Sequence, residues 1–236
     1  MSKEQYAALH PHKADRIKFV VVGEDVAVGK TQGSIVGRRY GQLYTDQIQY
    51  LIITRGLAGT VLVYKIAGAL ANRGGSLDEV YTVAQWVASN IATIGVGLEH
   101  CHVRTPTTGN PLPFPCNIPS PQVPGTAPAA SHLASSEIEI GMGIHNESGN
   151  GRLSPVPPLN ELIPQLLDFI TSTTDPERSF LPFQGSKDEV VLLVNNLGGI
   201  SELELGGIVA ETRRALDARG IIIHRVLSGS FMVSCF

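Results

Sequence analysis

The chain has 236 residues, 43% of them apolar, enough to bury a core in one large domain or two small ones. Eighteen Lys and Arg against 21 Asp and Glu give a formal charge of −3, and no basic block is available to neutralise a row of phosphates, which argues against nucleic acid as the main partner. No apolar run is long enough to span a bilayer, the N-terminal MSKEQYAALHPHKADR lacks the apolar stretch of a signal peptide, and Cys101, Cys116 and Cys235 fall at no zinc-like spacing. The expectation is a soluble protein of a reducing compartment, with the cytoplasm as the default and no membrane contact.

Residues 17–22, IKFVVV, form a β-branched run ending at Gly23 and read as a buried strand. GEDVAVGKT, residues 23–31, then has the look of a nucleotide-triphosphate loop. Gly23 and Gly29 are separated by five residues, however, where the phosphate-cradling ring of backbone N–H groups needs four. Val26, Ala27 and Val28 also add bulk where backbone must come close to phosphate, so no ATP site is expected there.

GLAGTVLVYKIAGALANRGG favours a helix from about Leu57 to Asn72, stopped by Gly74 and Gly75. Ser76 and Glu79 have the spacing of a capping box, which starts a second helix at Leu77 running to about Ala92. Val80, Val83, Ala84, Val87 and Ile91 are its apolar stripe, with Trp86 alongside, and the stripe reads as core rather than cofactor box.

Residues 104–131 are dense in proline and small polar residues and read as a disordered loop. EIEIGMG at 137–143 alternates like a short strand, and IHNESGNGR turns at Gly149 and Gly151. Asn160 is expected to cap a helix through about Thr171, with Pro164 tolerated near its first turn. The last third is a β-α-β unit: the strand EVVLLVNN, a GG turn, a capping box of Ser201 and Glu204, a stop at Gly220 and the strand IIIHRV, parallel to the first. No internal repeat is visible.

Three stretches invite chemistry. Asn195, Asn196, Leu197, Gly198 and Gly199 lie where a strand gives way to a helix, a place for an anionic or polar ligand, though an ordinary turn is the plainer reading. His100, Cys101 and His102 look metal-like, but neighbours on an extended chain point to opposite faces and do not easily share one ion. His145 follows Gly141 and Gly143 into a polar turn with Asn146, Glu147 and Ser148. A neutral imidazole there is a competent nucleophile toward a carbonyl, with Glu147 as an acceptor that could fix its tautomer, though from spacing alone a satisfied surface histidine is the plainer reading.

Four of these segments, GLAGTVLVYKIAGALANRGG, IGVGLEHC, EIEIGMGIHNESG and LLVNNLGG, taken in order, resemble the substrate-binding part of dihydroxyacetone kinases of the ATP-dependent fungal type. The resemblance implies an α/β, two-lobed DhaK-type fold in which a mixed sheet is packed by helices. It places residues 1–55 as a remnant of the first lobe plus an insertion, and 56–236 as the second lobe with a truncated C-terminus. It also implies that His145 forms a covalent hemiaminal with the carbonyl carbon of dihydroxyacetone, which selects ketoses over glycerol. Gly141 and Gly143 would let substrate approach, and Asn146 and Glu147 would support the histidine. ATP and Mg²⁺ would be held by a separate domain absent from this chain, and the lobe would pair as a homodimer.

The chain departs from the pattern in lacking a glycine-rich loop of the SGGGSGHEP kind and its substrate-binding aspartate. Residues 40–54 and 104–122 interrupt otherwise continuous family segments and resemble introns translated in frame. These departures imply a kinase fragment with little phosphorylating activity alone. The rival reading is a non-catalytic triose-binding, regulatory or dimerisation module.

Overall fold

The computed structural model describes residues 17, 18, 20, 22, 57–98, 133–142, 149, 151–175, 179, 181–185 and 187–233. Helix α1, Leu57–Asn72, ends as its two glycines require. Gly74 takes a φ of +86°, its N–H donates to the Ala71 carbonyl at 3.0 Å, and the Gly75 N–H reaches back to the Leu70 carbonyl at 3.1 Å. Together they satisfy two carbonyls that the end of the helix would otherwise orphan. Helix α2, Leu77–Ser89, starts on the anticipated capping box: the Ser76 hydroxyl accepts from the Glu79 N–H at 3.3 Å, and the Glu79 carboxylate accepts from the Ser76 N–H at 2.8 Å.

The second helix stops sooner than expected. Asn90 donates its backbone N–H to the Val87 carbonyl at 3.0 Å and its side-chain amide to the Trp86 carbonyl at 2.8 Å, so the end is closed at Ser89 rather than near Ala92. Ile91, outside the helix, still packs with Val83 on the buried cluster of Val63, Ala84, Val87 and Ala88 between α1 and α2. Trp86 stays 66% exposed. Val20 and Val22 join this cluster, and the four described residues of 17–22 do not lie in a strand. Nearby, the Lys18 ammonium pairs with Asp78 and lies 4.9 Å from the Tyr81 ring centroid.

The chain then builds an antiparallel three-stranded sheet, β1 (Val96–Gly97), β2 (Ile138–Ile140) and β3 (Gly151–Leu153), in spatial order β1-β2-β3. Gly151, expected in a turn, instead opens β3 opposite Ile140, since Arg152 and Leu153 find partners in Glu139 and Ile138. Helix α3, Leu159–Thr171, begins ahead of the expected cap Asn160, which lies in its first turn. Its N-cap is Pro158, at φ −61° and ψ 151°, without any side-chain cap bond; the ring presets the extended entry, and the Pro158 carbonyl accepts the first turn from Glu161 and Leu162. Pro164 therefore sits in the second turn, inside the helix.

Strand β4 (Glu189–Asn195), helix α4 (Glu202–Asp217) and strand β5 (Ile222–Gly229) form the expected β-α-β unit, with β4 and β5 parallel. A bulge between Val190 and Val191 leaves His224 opposite no residue of β4, and its Nε2 lies 2.7 Å from the Glu189 carboxylate. Val190, Leu192 and Ile223 turn inward onto Ile163, Leu167, Ala215, Leu216 and Ile221, the core between the sheet and helices α3 and α4. Arg219 ties the two helices, donating to the carbonyls of Pro164 and Ala215 at 2.9 and 3.1 Å and to the Asp168 carboxylate at 2.6 Å.

Both capping-box glutamates, Glu79 and Glu204, are held below the ordinary carboxylate range, first by the serine backbone N–H and then by the serine hydroxyl, each of which favours the charged form. A depressed carboxylate contributes stability that is present above its unfolded pKa and lost as pH falls through the folded one. The melting temperature is therefore expected to fall on acidification through the carboxylate range, and Glu204→Gln, which keeps an acceptor but removes the titration, should shallow that fall. Melting curves recorded across acidic pH check it; equal slopes for the two proteins would contradict it.

Candidate functional site: the connection between β2 and β3

Strands β2 and β3 are adjacent, antiparallel and consecutive, so the segment carrying His145 leaves and re-enters one sheet at neighbouring positions, Ile140 and Gly151. The departure is fixed first. The Gly141 N–H donates to the Gly95 carbonyl at 2.7 Å, and Gly141 then takes a φ of +76°, a conformation L side chains rarely adopt. The return is fixed by Glu139. This side chain is only 3% exposed, in the central strand, with one carboxylate oxygen 2.6 Å from the Gly149 N–H and the other 3.2 Å from Arg152 Nε.

Gly149 also lies against the outgoing chain. A Cβ there would overlap the Ile140 carbonyl oxygen and stand 2.7 Å from the Met142 nitrogen and 2.8 Å from the Gly141 carbonyl carbon. The two limbs of the connection thus touch backbone to backbone. On the β1 side a Cβ at Gly97 would overlap the Met142 methyl and lie 3.1 Å from its sulfur, so Met142 covers that strand.

Of the anticipated site residues, Gly141 is placed at this neck, buried; His145, Gly143, Asn146 and Glu147 lie outside the described residues, as do His100, Cys101 and His102 and the stretches 23–31, 40–54 and 104–131. Sequence reasoning passes over Glu139. A lone carboxylate in a short apolar strand is the available signal, since a buried charge needs partners.

The turn after β4 is occupied by its own hydrogen bonds. The Asn195 amide donates to the Met232 carbonyl at 2.7 Å and accepts from the N–H groups of Phe231 and Met232, both at 2.9 Å. Asn196, 4% exposed, donates to the Ile200 carbonyl at 2.7 Å and accepts from the Gly198 N–H at 2.8 Å. These side chains bind the turn together, which favours the ordinary-turn reading. A cavity of about 440 Å³, lined in part by Asp168, Thr171, Asp188 and Arg219, opens at the other end of β4. Ligands of open α/β sheets sit beyond the carboxyl ends of strands, so its position does not single it out.

Among the described residues no group of three or more His, Cys, Asp or Glu side chains is placed to hold a metal ion, and no helix is long and apolar enough to cross a membrane.

Comparison with solved structures defines the class. The dihydroxyacetone kinase of C. freundii in complex with AMP-PNP and Mg²⁺ aligns with 92% of this chain and 32% of its own, at 26% identity and a TM-score of 0.55. The dihydroxyacetone kinase operon co-activator DhaQ aligns with 99% of this chain and 58% of its own, at 25% identity and a TM-score of 0.62. The fold is thus α/β of the dihydroxyacetone kinase kind. In sequence, dihydroxyacetone kinase 2 of Saccharomyces cerevisiae is 41% identical over 221 residues, 93% of this chain and 31% of the relative, and triokinase/FMN cyclase of Homo sapiens is 40% identical over 178 residues, 75% and 27% respectively. The Dak1 domain matches residues 4–113 and 114–235, and the chain belongs to the Dak1 domain family of dihydroxyacetone kinases. It spans about a third of the length of the curated relatives it matches.

Proposed function

We propose that this chain binds dihydroxyacetone, or a closely related small ketose, as a covalent hemiaminal on His145, for phosphorylation of the ketose by a dihydroxyacetone kinase. One unprotonated imidazole nitrogen adds to the carbonyl carbon. The C=O π bond opens, the oxygen takes a proton, and the second ring nitrogen gives one up, so that the adduct is neutral and nothing leaves. Glu147 would accept from that second ring N–H before the addition and hold the reactive tautomer, with Asn146 beside it and Gly143 leaving room for the ketose. Glycerol has no electrophilic carbon and is refused.

The observation that carries the reading is the segment EIEIGMGIHNESG itself, in a chain about 40% identical to named dihydroxyacetone kinases, with the segment's two ends clamped at Gly141 and Gly149. ATP would supply the phosphoryl group and Mg²⁺ its charge neutralisation, on residues other than those described here. The reading takes residues 56–236 as the ketose-binding lobe, residues 1–55 as belonging to the other lobe, and a homodimer of a cytoplasmic enzyme as the assembly.

Intact-mass measurement with dihydroxyacetone tests it. The expected result is an added mass of one whole ketose, reversible on dilution and missing in His145→Ala; a Schiff base on lysine would instead appear with one water fewer. An adduct that survives His145→Ala overturns the reading.

One observation favours a second reading, a regulator that senses the ketose without phosphorylating it: the co-activator superposes with a TM-score of 0.62 against 0.55 for the kinase. Adduct formation without dihydroxyacetone phosphate production, even when the ATP-binding domain of a dihydroxyacetone kinase is supplied together with ATP and Mg²⁺, would support it.

A further inference from the structure

We propose that the cavity at the amino ends of β4 and β5 is a second binding site, one that takes an uncharged polyol of sugar-like size. The proposal is independent of the histidine reading above. The cavity has a volume of about 440 Å³, within the range of small-molecule sites. It lies away from the carboxyl ends of the strands, where open α/β sheets take their substrates, and so suits a ligand other than the one that reacts. Its walls are fixed by their own hydrogen bonds. The Asp188 carboxylate accepts from the Gln184 N–H at 3.0 Å and from the Gly185 N–H at 3.1 Å, with Gly185 at a φ of +94°. Arg219, bound to the Pro164 and Ala215 carbonyls and to one oxygen of Asp168, fixes the side formed by the end of α3.

The bonding capacity left over selects the ligand. Asp188 is engaged by main-chain N–H groups and Asp168 is balanced by Arg219, so neither an anion nor a cation finds an unbalanced charge to pair with. Donors and acceptors nevertheless remain together. Asp168 keeps its second oxygen, and Arg219 uses three of its five N–H groups, the others having no partner among the described residues. The Thr171 hydroxyl donates to the Leu167 carbonyl at 2.8 Å and can still accept; the Ser172 hydroxyl accepts from the Asp175 N–H at 3.0 Å and can still donate. A hydroxyl both donates and accepts, and a ligand carrying several of them answers this mixture as neither phosphate nor an ammonium group does. Ile221, 6% exposed, and the half-buried Phe183 add an apolar surface for the C–H face of such a ligand.

NMR titration of the full ¹⁵N-labelled chain with D-sorbitol tests the proposal, since sorbitol has no carbonyl and cannot form the histidine adduct. Saturable shifts are expected at the Thr171 and Gly185 amides, with a Kd of about 1 mM, the strength that a ligand of this size reaches with a few anchoring bonds. Inorganic phosphate and spermidine should leave those signals in place. The Asp168 side chain is 72% exposed, so Asp168→Ala should fold as wild type while weakening sorbitol binding about tenfold or more, through loss of a charged acceptor. Asp168→Asn, which keeps an acceptor, should lose less. Glu161→Ala, exposed on the same helix but outside the cavity, is the control and should bind like wild type. Shifts that do not saturate, shifts confined to other parts of the chain, or a response to phosphate or spermidine in place of sorbitol would each overturn the site. So would Asp168→Ala binding as tightly as wild type, or Glu161→Ala losing as much as Asp168→Ala.

Discussion

Replacing Gly149 by alanine is expected to destabilise the chain by about 3 kcal/mol and to abolish ketose adduct formation. The added methyl would meet the Ile140 carbonyl oxygen, the Met142 nitrogen and the Gly141 carbonyl carbon, all of them main-chain atoms. None of these can swing aside as a side chain would. Ile140 is tied into the ladder with Val96 and Gly151, and Gly141 is bonded to Gly95. Relief requires moving Gly149 away, which also breaks its bond to Glu139. Gly97→Ala is the instructive contrast: its methyl would meet the far end of Met142, which has rotatable bonds to spare, so a much smaller loss is expected. Urea unfolding of both variants, with adduct formation measured in parallel, checks the pair. Equal stability of Gly149→Ala and wild type would contradict the placement of the two limbs.

Leu216→Ala should cost about 3–4 kcal/mol, and Leu203→Ala in the same helix close to nothing. Leu216 is 3% exposed and packs with Ile163, Leu167, Ala215 and Ile221, where α3, α4 and the parallel strands converge; Leu203 is 87% exposed. Removing the three outer carbons of Leu216 loses their transfer free energy and leaves a cavity that a sheet and two helices cannot fully close. Set against a net stability of about 5–15 kcal/mol for an ordinary domain, this is a large fraction. Denaturation midpoints should separate the two variants clearly while the dependence on denaturant stays the same. Similar midpoints would mean that the core does not lie where α3 and α4 meet.

Much of the helical framework is legible in the amino-acid sequence. Helix α1 and the starts of α2 and α4 are written in short-range chemistry: a serine followed three residues later by glutamate caps a helix wherever it occurs, and a glycine at positive φ ends one. The β-α-β unit follows from two apolar strand runs on either side of a helix opened by the Ser201 and Glu204 capping box and stopped at Gly220. Expectation and structure part where a rigid residue or a distant partner intervenes. Pro158 opens α3 in place of Asn160, and Asn90 closes α2 early by folding back on Trp86. Of the run at 17–22, which has strand-like composition, the described Val20 and Val22 pack as apolar cover on the cluster between α1 and α2.

The amino-acid order alone determined the class of the chain, the end of α1, the starts of α2 and α4, the parallel unit and the glycine-flanked histidine, because each depends on residues a few positions apart or on a recognisable succession of segments. Only the tertiary structure decided what grips that histidine's segment. Glu139 and Gly149 are ten positions apart and meet because β2 and β3 run antiparallel, and a contact across a sheet, with the burial that makes its charge matter, is set by strand register rather than by local propensity.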